Sequence, residues 1–170
     1  LTAPAVKVKT ITPKIKRLVG EMKETLISQK DPEGVGLAAP QVGESLRLFI
    51  MKPGKTSDMT VCINPVIVTI SKLKASSPNQ GIQRKRKHEK MEGCLSIPRI
   101  WGPLKRDEKV VLKYEDLDGK THTKTYLGFE AVIVQHEVDH LNGILFTQRC
   151  LEQNITLYEE DGDELIAMKT

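Results

Sequence analysis

The sequence predicts an α+β domain with largely antiparallel sheet, on three observations: an amphipathic helical stripe near the start, β-type runs that include a sharp hairpin signal, and a late apolar helical run. At 170 residues, 39% hydrophobic and 28% charged, the composition is that of a globular chain able to bury one core without disulfides. A single domain spanning 1–170 is the expectation.

The stripe lies in "TPKIKRLVGEMKETLISQ", where Ile15, Leu18, Val19, Met22 and Leu26 recur at helical spacing behind a Thr12 N-cap and Pro13 in the first turn. This predicts a helix from 13 to about 30 whose stripe is core packing. "DPEGVGLAAPQVG" follows, a Gly- and Pro-rich loop or extended segment, and then the β-type runs "LRLFIMK" and "VCINPVIVTI". Pro65 has no N–H to give to a ladder, so the centre of the second run is expected at an edge or a bulge.

From Ser71 to Lys90 the composition shifts to a basic segment, five of the seven residues from Arg84 to Lys90 being Arg or Lys, which reads as a long solvated loop insert. His88 within it is expected at the surface. "KVVLKYEDLDGKTHTKTYL" predicts two strands joined through Asp118-Gly119, with His122 also at the surface. "LGFEAVIVQHEVDHLNG" reads as a helix stopped by Asn142-Gly143. Residues 151–170, including "EEDGDE", read as an acidic tail of uncertain order.

Several function classes are excluded at this level. No apolar run approaches the ~20 residues that span a bilayer, so no membrane association is expected. Net charge is 26 − 22 = +4, too mild for specific nucleic-acid binding to be expected. Cys62, Cys94 and Cys150 are an odd, widely spaced set, which argues for a reducing compartment and against a disulfide framework. The opening at Leu1 lacks a charged and then apolar leader, so no secretory signal is expected, whereas a transit peptide removed earlier remains compatible.

Chemistry enters at "VIVQHEVDHL". On a helix His136 and His140 sit one turn apart on one face and aim their rings at one point, with Glu137 one residue round. This is H-E-x-x-H, in which two imidazoles hold a metal and the carboxylate takes a proton from water. The adjoining run Ala131 to Val134 favours metal over coincidence, because buried neutral imidazoles need polar partners. The α+β fold is then expected to pack antiparallel β-sheets around a central metal-binding helix. A catalytic site needs a third ligand and an open position. A downstream histidine is ruled out because its place holds Phe146, and glutamates in the tail (Glu152, Glu159, Glu160) make a poor platform. Upstream, Cys94 in "MEGCLSIPRIWG" is the remaining candidate.

Three stretches taken in order, "EGVGLAAPQVG" at 33 to 43, "EGCLS" at 92 to 96 and "QHEVDHLNG" at 135 to 143, resemble the motifs GxGLAAxQ, EGCLS and QHExDH of the peptide deformylase family. The resemblance covers most of the chain from about Lys14 to Phe146. It implies a metal-dependent amidase that removes the formyl group from the N-terminal formylmethionine of nascent polypeptides and releases formate. It places Cys94, His136 and His140 on one divalent ion, Fe(II) being the family's usual working metal and Zn(II), Ni(II) or Co(II) fitting the same donors. Glu137 is implied as general base and then acid, with the Gln41 amide and the Leu95 N–H facing the carbonyl oxygen. Val35, Gly36, Glu92, Gly93, Val132 and Ile133 are implied at the substrate.

The same resemblance implies a bacterial cytoplasmic setting, or an organellar one after transit-peptide removal, and a transient ribosome contact. Ribosomal RNA is the sharper alternative reading of the basic insert 71–90. Family members commonly carry an arginine a few residues after EGCLS; here "IPRIWGPLKR" puts Trp101 near that place and Arg99 as the nearest substitute. The C-terminal segment lacks the long amphipathic helix that some relatives dock on the ribosome. Two alternatives stand beside this reading: a small zinc endopeptidase with Glu159 or Glu160 as third ligand, and a non-enzymatic domain with a closed structural metal shell.

Overall fold

A computed structural model describes residues 1–71 and 91–168. The basic insert falls outside the described residues except for Ser71, and His88 lies outside them with it. The chain divides into two compact units, one of Leu1–Ser71 with Arg106–Leu145 and one of Lys72–Lys105 with Phe146–Thr170.

In the first unit, helix α1 (Pro13–Ser28) begins where the sequence places it, with the Thr12 hydroxyl accepting from the Ile15 N–H. Its buried residues are the five of the stripe, each contributing on the order of 1.5–3 kcal/mol of apolar burial. The helix stops two residues short of the expected end, because Gln29 takes an extended conformation. Strands β1 (Gly36–Ala38), β2 (Leu48–Met51), β3 (Thr60–Ser71), β6 (Lys109–Glu115) and β7 (Thr121–Leu127) form one antiparallel sheet in the order β1-β2-β3-β6-β7. The expected irregularity at Pro65 is a bulge in a central strand: the β3–β6 register shifts between Ile63 and Val66. A 3-10 turn, Ala39–Val42, follows β1.

The β6–β7 hairpin turns through Asp118-Gly119 as predicted, with Gly119 at φ 77°, where a glycine carries no Cβ penalty. His122 departs from the surface expectation. It is half-buried, stacks on Tyr114 with ring centroids 5.3 Å apart, and its Nε2 lies 2.6 Å from Asp116 Oδ2. That hydrogen bond, reinforced by the Lys120 and Asp118 N–H groups against the opposing effect of burial, holds the Asp116 carboxyl below its usual value. A depressed carboxylate stabilises the fold above its unfolded pKa, and the contribution is lost as pH falls through the folded value. Thermal unfolding of the parent and of Asp116→Asn should therefore differ at neutral pH and converge only in the acid range below the ordinary carboxylate pKa.

Helix α2 (Phe129–Leu141) packs on this sheet, touching β1, β2, β6 and β7. Ala131, Ile133, Val134, Val138 and Leu141 join Phe49, Met51, Leu112 and Tyr126 in one core. The helix ends at Asn142-Gly143 as predicted: Gly143 has φ 74°, and Ile144 N–H donates to Asp139 O. Added atoms on Gly143 would meet Thr2 backbone at 2.8 Å, a second reason for glycine.

The second unit contains the sheet β4-β5-β8-β9, formed by β4 (Glu92–Cys94), β5 (Ile97–Gly102), β8 (Tyr158–Asp161) and β9 (Glu164–Ala167), and the short helix α3 (Phe146–Glu152). Here the sequence reading needs correction. The segment expected as an acidic tail of uncertain order is the end of a helix and then a hairpin, turned at Gly162 with φ 61°. The two residues of this turn are Gly162-Asp163, between the paired Asp161 and Glu164, a glycine-first hairpin signal. The hairpin is anchored by β8 pairing with β5 (Ile100 with Glu159, Trp101 with Tyr158). Cys94, Leu104, Phe146 and Cys150 form this unit's core. No helix among the described residues is long and apolar enough to cross a membrane.

Candidate metal centre

In the first unit α2 delivers the predicted pair. His136 is half-buried and His140 is 1% exposed, and their Nε2 atoms lie 3.2 Å apart with the rings nearly perpendicular. Two nitrogens bonded at ~2.0–2.1 Å to one ion would stand at this distance for a bond angle of roughly 100–106°, close to tetrahedral. The pair therefore fits a shared ion, with both second nitrogens left to orient the rings.

Glu137 is 3% exposed and turned towards β1. A Cβ on Gly36 would collide with its Oε1, and would stand 2.9 Å from its Cδ and 3.0 Å from Ile133 Cγ2. Gly36 thus vacates the space that the Glu137 carboxylate occupies. Because the colliding atom is the end of a flexible side chain, Gly36→Ala should displace the carboxylate more than it destabilises the fold. If Glu137 is the general base that the resemblance implies, turnover is expected to fall about 10²-fold with metal content retained, as ~1 Å misplacements cost. Steady-state kinetics alongside metal analysis checks this.

Gln41 sits in the 3-10 turn, and its Oε1 accepts from the Ala38 N–H at 2.8 Å. The amide oxygen is thereby fixed inward, which makes the NH2 the donating end. Val35 is partly buried against the core, Ile133 is 3% exposed within it, and Val132 is half-buried on α2. The Val35 carbonyl accepts from Lys52 N–H, so the β1–β2 pairing extends past Gly36. β1 stands at the end of its sheet.

Sequence reasoning missed a second set of polar contacts on α2. Arg106 Nη1 donates to Asp139 Oδ2 at 2.6 Å, the two side chains being 7% and 9% exposed. Gln135 Oε1 accepts from Asp107 N–H at 3.1 Å, while its Nε2 donates to Asp107 O and Ala131 O, both at 2.9 Å. Of the remaining cysteine here, Cys62, burial pushes the thiol far above its usual pKa, keeping it an inert core residue.

In the second unit Cys94 is 7% exposed at the end of β4. The β4–β5 register shifts between Gly93 and Cys94, and a bulge re-aims the side chain that follows it. Leu95 lies in the turn between these strands, outside the ladder. Glu92 is 8% exposed and pairs with Gly102. Gly93 has a structural cause of its own: a Cβ there would meet the Trp101 ring at 2.7 Å. Trp101 Nε1 donates to Glu160 Oε2 at 2.8 Å, and Arg99 Nε and Nη2 both donate to Glu160 O. Arg99 and Glu160, raised by the sequence as a substrate arginine and a metal ligand, are thus both engaged in the β5–β8 contact.

Residues 1–155 match the model of the polypeptide deformylase family. A peptide deformylase of Dictyoglomus thermophilum is 40% identical over 160 residues, covering 94% of this chain and 92% of that protein. The crystal structure of peptide deformylase from Thermotoga maritima superposes with a TM-score of 0.70 at 34% identity, over 87% of this chain and 88% of that one. A peptide deformylase from Synechococcus elongatus, solved in complex with actinonin, gives 0.72 at 33% identity over 88% and 74%. The chain belongs to the polypeptide deformylase family, whose members are metal-dependent hydrolases acting on an amide bond.

Proposed function

We propose that this chain, acting over 1–170 as one catalytic domain, removes the formyl group from the N-terminal formylmethionine of nascent polypeptides and releases formate. Family membership carries the reading. Cys94, His136 and His140, each offering one ligand atom, would hold one divalent ion, Fe(II) by family habit, with Zn(II), Ni(II) or Co(II) able to take its place. When bound, such an ion lowers the pKa of a water towards ~7 and polarises the formyl oxygen.

The remaining work falls to the chain. Glu137 takes the proton from the attacking water and returns it to the leaving amine; the space opposite Gly36 and Ile133 holds its carboxylate in place. The Gln41 NH2 and the Leu95 N–H face the carbonyl oxygen as it becomes an oxyanion, where each donor is worth ~3–4 kcal/mol. Gln41 does so without adding charge. An extended peptide adds beside β1, using the end position of that strand, and Val35, Gly36, Glu92, Gly93, Val132 and Ile133 contact it. The family match disfavours the endopeptidase alternative. The setting that goes with this activity is the bacterial cytoplasm or an organelle that initiates with formylmethionine, with a transient ribosome contact.

The decisive assay compares formate release from a formyl-Met peptide with cleavage of internal peptide bonds, using protein loaded anaerobically with Fe(II). Formate release alone is the expected result; internal cleavage without formate would reverse the assignment.

A further inference from the structure

We propose that the Arg106-Asp107 segment is a positioning clamp that sets the rotation of α2 about its axis, and through it the geometry and affinity of the ion held by His136 and His140. The inference rests on the reading of those histidines as ligands. Gln135 and Asp139 each stand one residue ahead of a ligand histidine and repeat its i, i+4 spacing. One residue is about 100° of helix rotation, so the gripped face lies about a quarter-turn from the ligand face.

The grip is directional. One amide, Gln135, accepts from the N–H and donates to the carbonyl of the same residue, Asp107, and also donates to Ala131 O on its own helix. One turn on, Arg106 holds Asp139 at 2.6 Å. Apolar packing around α2 resists separation, yet it is non-directional and tolerates small rotation; hydrogen bonds on two successive turns do not. At about 6 Å from the axis, a rotation of about 10° displaces a ring nitrogen by about 1 Å. Metal sites hold their distances to about ±0.2 Å, so a few degrees matter. Stability alone does not account for the ion pair, because a buried pair adds little over apolar residues of the same volume. Gln135, Asp139 and Arg106 are thus positioning residues that act through the two histidines.

The test uses the full chain stripped of metal and titrated with Co(II) against a competing chelator, with the visible spectrum of the Co(II) protein recorded at saturation. Asp139→Asn keeps shape and removes charge; Gln135→Met keeps volume and removes the amide; Arg106→Lys keeps charge and loses the planar fork. Asp139→Asn and Gln135→Met are expected to raise the Co(II) dissociation constant about 10- to 100-fold and to alter the ligand-field bands, with Arg106→Lys showing the same change to a smaller degree. A purely structural role would lower the melting temperature of the metal-free protein and leave both affinity and spectrum as in the parent. Parent-like affinity, within threefold, and a parent-like spectrum in whichever of these variants folds would overturn the clamp. Failure of the parent itself to bind Co(II) would instead remove the ligand reading, and the clamp with it.

Discussion

Replacing Glu137 by Gln is expected to lower the rate constant for formate release by about 10²–10⁴-fold, the range of a lost general acid–base group, while metal content stays at the parent level. The substitution is close to isosteric, which matters at this position. Glu137 is 3% exposed and its carboxylate fills the space left by Gly36, so truncation to Ala would also open a void beside Ile133. An amide of the same shape keeps that packing and removes only the capacity to accept and return a proton. KM for a formyl-Met peptide should move little, because the role proposed for Glu137 is on the water and the leaving amine rather than on binding. Stopped-time formate measurement, paired with metal analysis of the same sample, decides the matter. Undiminished turnover would mean that another group carries the proton, and the assignment of Glu137 would be lost.

The residues that make this prediction possible were unevenly visible in the sequence. Periodicity exposed α1, because all five stripe residues are buried on one face and the Thr12 cap is local. It exposed the β6–β7 hairpin and the stop of α2 for the same reason: Asp118-Gly119 and Asn142-Gly143 act within a few residues of themselves. The pair His136 and His140 is legible because helical spacing is enough to bring their rings together.

What failed to show was long-range or unpatterned. β9 is exposed along its length, so no apolar alternation marks it, and acidic side chains masked the Gly162-Asp163 turn. β4 and β5 carry a bulge and Pro98, which erase the period of two. Arg106 and Asp139 are 33 residues apart, and nothing local to either announces a buried ion pair. Gly36 stands in a Gly-rich segment whose pattern does not say why glycine is needed there; the cause is distant in the chain, the Glu137 carboxylate lying where a Cβ on residue 36 would stand.

Replacing Cys94 by Ser is expected to strip the protein of most of its metal, and this result separates the proposed three-ligand shell from an endopeptidase shell completed by a glutamate. A serine hydroxyl stays protonated near neutral pH, whereas a cysteine thiol beside a divalent ion ionises and binds as thiolate. The change therefore removes a charged soft donor while altering little volume, so the second unit's core, where Cys94 packs near Leu104, Phe146 and Cys150, should persist. Loss of one of three ligands typically weakens binding by at least the 10- to 100-fold seen for outer-shell partners, and two imidazoles alone are a weak site. Equilibrium dialysis against Co(II), with circular dichroism confirming the fold, supplies the comparison. Full metal occupancy in the variant would show that Cys94 is not a ligand; the shell would then need a carboxylate. Glu160 is poorly suited to that part, since its Oε2 already accepts from Trp101 and its backbone carbonyl from Arg99. Metal loss in Cys94→Ser with normal occupancy in Glu159→Gln and Glu160→Gln would leave one thiolate and two imidazoles as the donor set.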